Sequence, residues 1–535
     1  MSSTRRRFLK DSMVLTAAAT MLPRTLGAQN QFDYVVIGAG ASGCVVVNRL
    51  TADPQVRVLL LEAGGPDSNP TIPVIGQWTS LIGSDLDWKY STEPEPGLNG
   101  RVMAWPRGKT YGGSTAISAA AYARGHQLDF DQWATETGSS WSYHSVLPYF
   151  RKSEDNVRGE SAYHGVGGPM IVADTTDPHA AHVAFLTAAQ ELGFAADPAW
   201  DFNGAQQEGG AGFYQKNLRD GRRESAATAF LTPILSRPNL TVRPFCQVKR
   251  LLFTGTRVTG VEYVRTVAGQ RRTPQSQTIE QEHVAREVVV CAGAIESPKI
   301  LMLSGIGPGA HLREHGIPVV VDLPGVGGNL HDHPRLGFRW EGKTVLPGST
   351  VSAGLLTHSS RGATRGAPDL QFYVGRGLSA PDPGISFSVT VSRPHSRGSI
   401  TLRSADPLAA PVIRAGYFTD ARDMDAALEA VRLARAFGAS KAYDRLRGAA
   451  IDPLDSEVTP DQIRAYVRRS TGTIYHPGGT CRMGTGPDAV VDPQLRVRGV
   501  EGLRVADASI MPTVVNAQTQ AACVMIGERV AEFLG

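Results

Sequence analysis

The stretch "FDYVVIGAGASGCVVVNRL" (32–50) constrains this chain more than any other. An apolar run, Tyr34 to Ile37, reads as a buried strand, and Gly38, Gly40 and Gly43 follow it at GxGxxG spacing. "CVVVNRL" then continues as a helix, and "QVRVLLLEAGG" returns as a second apolar strand ending at Glu62. Each glycine has its own task. Gly38 permits the turn, Gly40 lets a pyrophosphate approach the backbone, and Gly43 lets the helix pack on the strand. The helix start offers unpaired N–H groups and a positive dipole end to the phosphates. Glu62 is placed to accept from the ribose hydroxyls of an adenosine and would repel a 2′-phosphate. A lone GxGxxG is a weak signal, but strand, glycines, helix, strand and acid in register predict a Rossmann-like dinucleotide site.

Farther along, "WPRGKTYGGSTAISAAAYARG" (105–125) is a glycine turn followed by small residues, and "AREVVVCAGAIESPKILMLSGIGP" (285–308) reads as a buried strand turning into a helix. "RGKT" imitates the end of a P-loop, but Met103 stands where the first glycine of that motif belongs. No GxSxG elbow occurs, so a serine hydrolase of that type is set aside. Between about 155 and 220, "HVAFLTAAQELGF" is amphipathic. From about 335 to 475, "ISFSVTV" and "GSITLRS" alternate as antiparallel strands do, and "DMDAALEAVRLARAFGA" is helical. Trp78, Phe372 and Tyr373 are candidates for the wall of a substrate pocket, with core packing the first expectation for each. The C-terminus closes with a strand and turn, "GLRVADASIMPT", and a helix from about Ala521.

Charge narrows the partners. Five of the 54 basic residues and one of the 50 acidic residues lie in the first 28, so the rest of the chain is balanced, 49 against 49. Nothing in that balance points to nucleic acid. The N-terminus reads as an address: "TRRRFLK", a short apolar stretch and the small-residue "LGAQ" make a twin-arginine signal peptide over residues 1–28. The expected destination is the periplasm, and the apolar stretch is too short for a permanent membrane anchor. Five scattered cysteines without a CxxC argue against a disulfide framework.

Four motifs in order, the N-terminal fingerprint, "GGSTAISAAAYARG", "GAIESPKILMLSGIGP" and "HPGGTCRMG" with "DASIMPT", resemble the glucose-methanol-choline (GMC) family of FAD-dependent oxidoreductases over nearly the whole chain after residue 31. "DFNGAQQEGGAGFYQ" (201–215) is similar to the choline-dehydrogenase-like branch. The resemblance implies an α/β fold. Its discontinuous Rossmann-like FAD-binding domain is expected at 32–154, 221–334 and 478–535. A substrate-binding domain, on a mainly antiparallel sheet flanked by helices, is expected at 155–220 and 335–477.

It also implies roles. His476, in "IYHPGGT", matches the family's base, which takes the proton of a substrate alcohol while its carbon passes a hydride to flavin N5; an imidazole suits that task near neutral pH. The family's second histidine or asparagine is replaced by Gln518, which keeps the amide but adds a methylene; Asn516 is the other amide in reach, and the choice stays open. FAD contacts are expected from Gly38, Gly40, Gly43, Glu62, Ala63, Gly112, Gly113, Ser114, Ser118, Val248, Asp507, Ala508 and Thr519. Ser118 replaces the usual asparagine, and Ile117 stands where some members carry a histidine joined to FAD, so the FAD is expected to be non-covalent. His331 and His333 have the spacing of metal ligands, but the family has a similar structural turn, and no metal is expected. The implied activity is oxidation of a small alcohol, with oxygen or a quinone or cytochrome as electron acceptor. A second reading keeps the fold but makes the protein a lyase resembling hydroxynitrile lyases, with FAD as structure and His476 in acid–base chemistry.

Overall fold

A computed structural model describes residues 31–266, 277–346, 349–359, 367–374 and 384–535. The expected signal peptide, 1–28, lies outside the described residues.

The glycine fingerprint folds as its spacing requires. The strand Phe32–Ile37 leads through the glycines into the helix Ala41–Leu50 and on to the strand Val58–Leu61. A β-carbon on Gly43 would sit 1.9 Å from the Gly38 carbonyl oxygen, so only glycine lets helix and strand come this close. The strands are buried on both faces and accordingly read as continuous aliphatic runs. Phe32–Ile37 pairs in parallel with Val58–Leu61 on one side and with the end of a long strand, Gln277–Val290, on the other. Leu240–Arg243 and Leu503–Val505 extend this parallel layer at either edge. The first half of Gln277–Val290 does something different. It pairs antiparallel with Arg257–Thr266, which in turn pairs with Cys246–Thr254, so one strand belongs to two kinds of ladder.

The second sheet has eight strands, all antiparallel apart from the short pair Ala195–Ala196 and Gly210–Phe213. Its centre is Pro334–Gly342, Gly384–Val391, Leu370–Val374 and Ala353–Thr357. Period-two alternation divides its faces. Phe338, Phe372 and Phe387 are buried, and Phe372 and Phe387 pack with Phe185 of the helix Ala180–Glu191, while Phe437 of the helix Ala421–Ala439 stacks on Phe185 at 4.7 Å. Arg335, Ser388 and Tyr373 alternate with them and face a cavity. Phe372 is thus a core residue, the first expectation for all three aromatics, whereas Trp78 and Tyr373 line the cavity, the alternative expectation. The terminal helix begins at Thr519, two residues before the expected start, and packs on Ala41–Leu50.

Candidate active site

One cavity of about 640 Å³ runs between the two sheets. Glu62, Ala63 and Val248 line it, as do Gly38, Gly40 and Ser42 at the start of the first helix, Gly113, Ser114 and Ser118 of the second glycine turn, Asp507 and Ala508, and His476, Gln518 and Thr519. Gly43 and Gly112 are not on its wall. Gly43 serves helix–strand packing, and Gly112, at φ +84°, donates its N–H to the Ala39 carbonyl at 2.8 Å, tying the second glycine turn to the first.

The residues present fit a dinucleotide. The helix Ala41–Leu50 has no side-chain cap and no acid in its first turn, so its N-terminal N–H groups are open to an anion. A β-carbon on Gly40 would meet nothing nearer than the Cys291 carbonyl oxygen at 3.9 Å, which leaves an open cradle above the backbone. Glu62 accepts from the N–H groups of Ala39 and Gly64 at 2.8 and 2.7 Å, which aims the carboxylate along the wall. Burial raises its pKa, against those two bonds, and its remaining lone pairs are available to donors such as ribose hydroxyls. Asp507 accepts from Gly293 N–H, Ser297 Oγ and Ser509 N–H at 2.8, 2.6 and 2.8 Å, pinning the strand Leu503–Val505 to the helix Gly293–Leu303 beside the cavity.

At the far end the loop 472–478 is bent to present His476. Asp332 accepts from His476 N–H at 2.8 Å and also from the hydroxyls of Tyr417 and Thr473. Tyr475 holds φ at +70°, a conformation that costs a non-glycine residue about 1–3 kcal/mol. The Arg107 guanidinium clamps it by donating to the Tyr475 carbonyl at 2.6 Å. The His476 ring meets His333, with Nδ1 to Nδ1 at 3.1 Å. Burial first, then the neighbouring His333 and Arg107, hold the His476 pKa well below 6.5. Burial likewise takes His333 down to about 3. Both rings are therefore neutral at pH 7.

The two candidate amides separate cleanly. Asn516 is fully buried, accepts from His126 N–H at 2.9 Å and donates to the Pro368 carbonyl at 2.9 Å; it is off the cavity wall. Gln518 is on the wall, donates Nε2–H to Tyr373 Oη at 2.8 Å, and leaves its Oε1 without a partner. Sequence reasoning set His333 aside as a turn residue and did not single out Asp332 or Arg107. The "LHDH" stretch held the signal, because a histidine and an aspartate so close to a glycine turn are ready to hold a second loop. Among the described residues, no group of histidine, cysteine and acidic side chains is arranged to hold a metal ion.

The GMC oxidoreductase family matches with its N-terminal part over residues 32–335 and its C-terminal part over 394–527. The chain belongs to the GMC oxidoreductases. Its relatives include the mitochondrial choline dehydrogenase of Mus musculus, 38% identical over 95% of this chain and 90% of that protein. They also include the alcohol dehydrogenase [acceptor] of Pseudomonas putida, 37% identical over 94% of this chain and 95% of that one. Among solved structures, pyridoxine 4-oxidase from Mesorbium loti superimposes with a TM-score of 0.87 and 32% identity, over 94% of this chain and 99% of that one. As a GMC oxidoreductase the protein is an FAD-dependent oxidoreductase.

Proposed function

We propose that the protein oxidises an alcohol to the aldehyde or ketone, with His476 as the base for the hydroxyl proton. The observation that carries this is the His476–His333 pair on the wall of the cofactor cavity. Of two nitrogens 3.1 Å apart, one must donate. With the His333 proton on Nε2, an atom without a hydrogen-bond partner among the described residues, His333 Nδ1 accepts from His476 Nδ1–H. The free lone pair of His476 then sits on Nε2, and the ring's one side-chain hydrogen bond among the described residues is the one to His333. That is the tautomer a general base needs. Bound FAD supplies the acceptor for the hydride. Gln518, held by Tyr373, offers an amide on the same wall to orient the substrate oxygen.

The cofactor is proposed to be non-covalent. Ile117 lines the cavity in the place of a linking histidine, and burial pushes the wall thiols of Cys246, Cys291 and Cys523 up, to about 11 for Cys246 and about 12 for Cys523, leaving them poor nucleophiles. Yellow colour in the supernatant after acid precipitation is the expected result. Export to the periplasm is proposed from residues 1–28 alone.

Anaerobic mixing of the FAD-loaded protein with primary, secondary, sugar and aromatic alcohols tests the activity. Bleaching of the flavin is expected for one class. A flavin that dithionite reduces but no alcohol does would favour the lyase reading. Rapid return of colour in air would mark oxygen as the acceptor, and slow return a quinone or cytochrome.

A further inference from the structure

The cofactor cavity is electrostatically lopsided at its substrate end. Three carboxylates line it among the described residues, and all are engaged. Glu62 and Asp507 hold backbone N–H groups, and Glu296 takes the Tyr90 hydroxyl and the Lys299 ammonium. Three permanent cations, Arg107, Lys216 and Arg335, line the same cavity. Arg107 is committed to the carbonyls of Pro106 and Tyr475.

Arg335 is different. Among the described residues its guanidinium has one hydrogen bond, Nη1–H to Ser388 Oγ at 3.2 Å, and no carboxylate. It lies two residues beyond His333, on the same sheet face as Ser388 and Tyr373, and Tyr373 is bonded to Gln518. Guanidinium, hydroxyls, amide and imidazole thus border one end of one cavity. The seat is shaped for it: β-carbons on Gly472 and Gly337 would come within 3.0 Å of Nη2 and 3.6 Å of Nη1. Two positions without side chains let the planar group lie along the backbone with its remaining donors open. A half-buried guanidinium with free N–H groups is a site for a planar oxyanion, which it can hold with two parallel bonds. The same charge repels a quaternary ammonium.

We propose that the substrate is an alcohol bearing a carboxylate, held by Arg335 while its hydroxyl faces His476, and that choline is a poor substrate. This rests on the alcohol-oxidising reading above and names its substrate class. The experiment compares three alcohols as anaerobic reductants of the FAD-loaded protein: 4-(hydroxymethyl)benzoate, benzyl alcohol and choline. In parallel, benzoate and benzyltrimethylammonium, which carry no oxidisable hydroxyl, are titrated while the flavin spectrum is followed.

The expected result is a preference for the hydroxy acid over benzyl alcohol of about 100-fold in kcat/KM, the loss typical of removing one partner from a buried charge pair. Arg335→Gln should collapse that ratio towards one, and Arg335→Lys should keep part of it. Benzoate should perturb the flavin spectrum and benzyltrimethylammonium should not. If the Gln variant lacks FAD or fails to fold, the wild-type ratio and the Lys variant decide. Faster reduction by choline or by benzyl alcohol than by the acid overturns the proposal while leaving the oxidoreductase reading intact. Benzoate binding that depends on Arg335, without bleaching by any alcohol, upholds the anion site and overturns the alcohol reading. Absence of both benzoate binding and any acid preference overturns the anion site.

Discussion

His333 and His476 meet Nδ1 to Nδ1 at 3.1 Å with their ring planes nearly perpendicular, 84° apart. One histidine comes from the turn that leads into the strand Pro334–Gly342 and the other from a loop 143 residues later, so the contact joins two segments that the chain brings together only on folding. Such a contact fixes a tautomer as well as a position.

The first prediction separates the two rings. His476→Ala should leave a yellow, FAD-bound protein whose reduction by its alcohol is slowed by about 10²–10⁴, the span of a lost general base. Stopped-flow absorbance measures it, and an unchanged rate would remove His476 from the chemistry. His333→Asn should slow reduction on the order of 100-fold through misplacement of the base. A merely structural His333 would lower thermal stability without moving the pH profile.

That profile follows from burial. A general base works while unprotonated, and the His476 pKa is held well below 6.5 by burial and by its cationic and imidazole neighbours. Reduction should therefore be flat through pH 6.5–8 and fall only in more acidic buffer. A limb centred at pH 7 or above would show that the ring titrating is not His476 in this environment.

Gln518 and Tyr373 form the second pair, amide to hydroxyl at 2.8 Å. Gln518→Asn shortens the side chain by one methylene and breaks that bond, so reduction should slow by about tenfold, the size of a net loss near 1.4 kcal/mol. Tyr373→Phe should cost a similar amount, and the double variant little more, because residues in direct contact do not add. Additive losses in the cycle would mean that the two side chains act separately.

How much of this was legible in the sequence depends on how local each interaction is. The βαβ unit was readable to its ends because strand, glycines, helix and acid all lie within 31 residues, Phe32 to Glu62. Gly38 and Gly43 carry a steric requirement that their spacing alone reveals. "ISFSVTV" likewise gave its strand, and the alternation implied that its serines and its aliphatic and aromatic residues face opposite ways. The partners across that sheet were not readable. That Ser388 stands beside Tyr373 and Gly337 depends on register, which non-local pairing sets. For the same reason "LHDH" looked like a turn, since nothing near it in sequence says which loop it holds. Gln518 and Asn516 are both buried, and only Gln518 lies on the cavity wall, a difference that two amides two positions apart do not declare in sequence.

The last prediction concerns His164. Burial lowers its pKa, but hydrogen bonds to Asp201 at 2.9 Å and Glu154 at 3.0 Å outweigh that and push it up to about 9. Glu154 is paired in turn with the fully buried Arg124, so the imidazolium completes a buried charged cluster. A folded-state pKa above the unfolded value near 6.5 means that protonation stabilises the native state. The contribution is complete below pH 6.5 and is lost as the pH rises through 9. Thermal midpoints of the FAD-loaded protein should therefore decline between pH 7 and pH 9.5, and His164→Gln should flatten that decline while lowering the midpoint at pH 6.5. Differential scanning calorimetry across the range measures both. Equal slopes for the variant and the parent would mean that His164 stays neutral in the folded protein, and that the Asp201 and Glu154 carboxylates take their compensation from Arg124 and Arg158 instead.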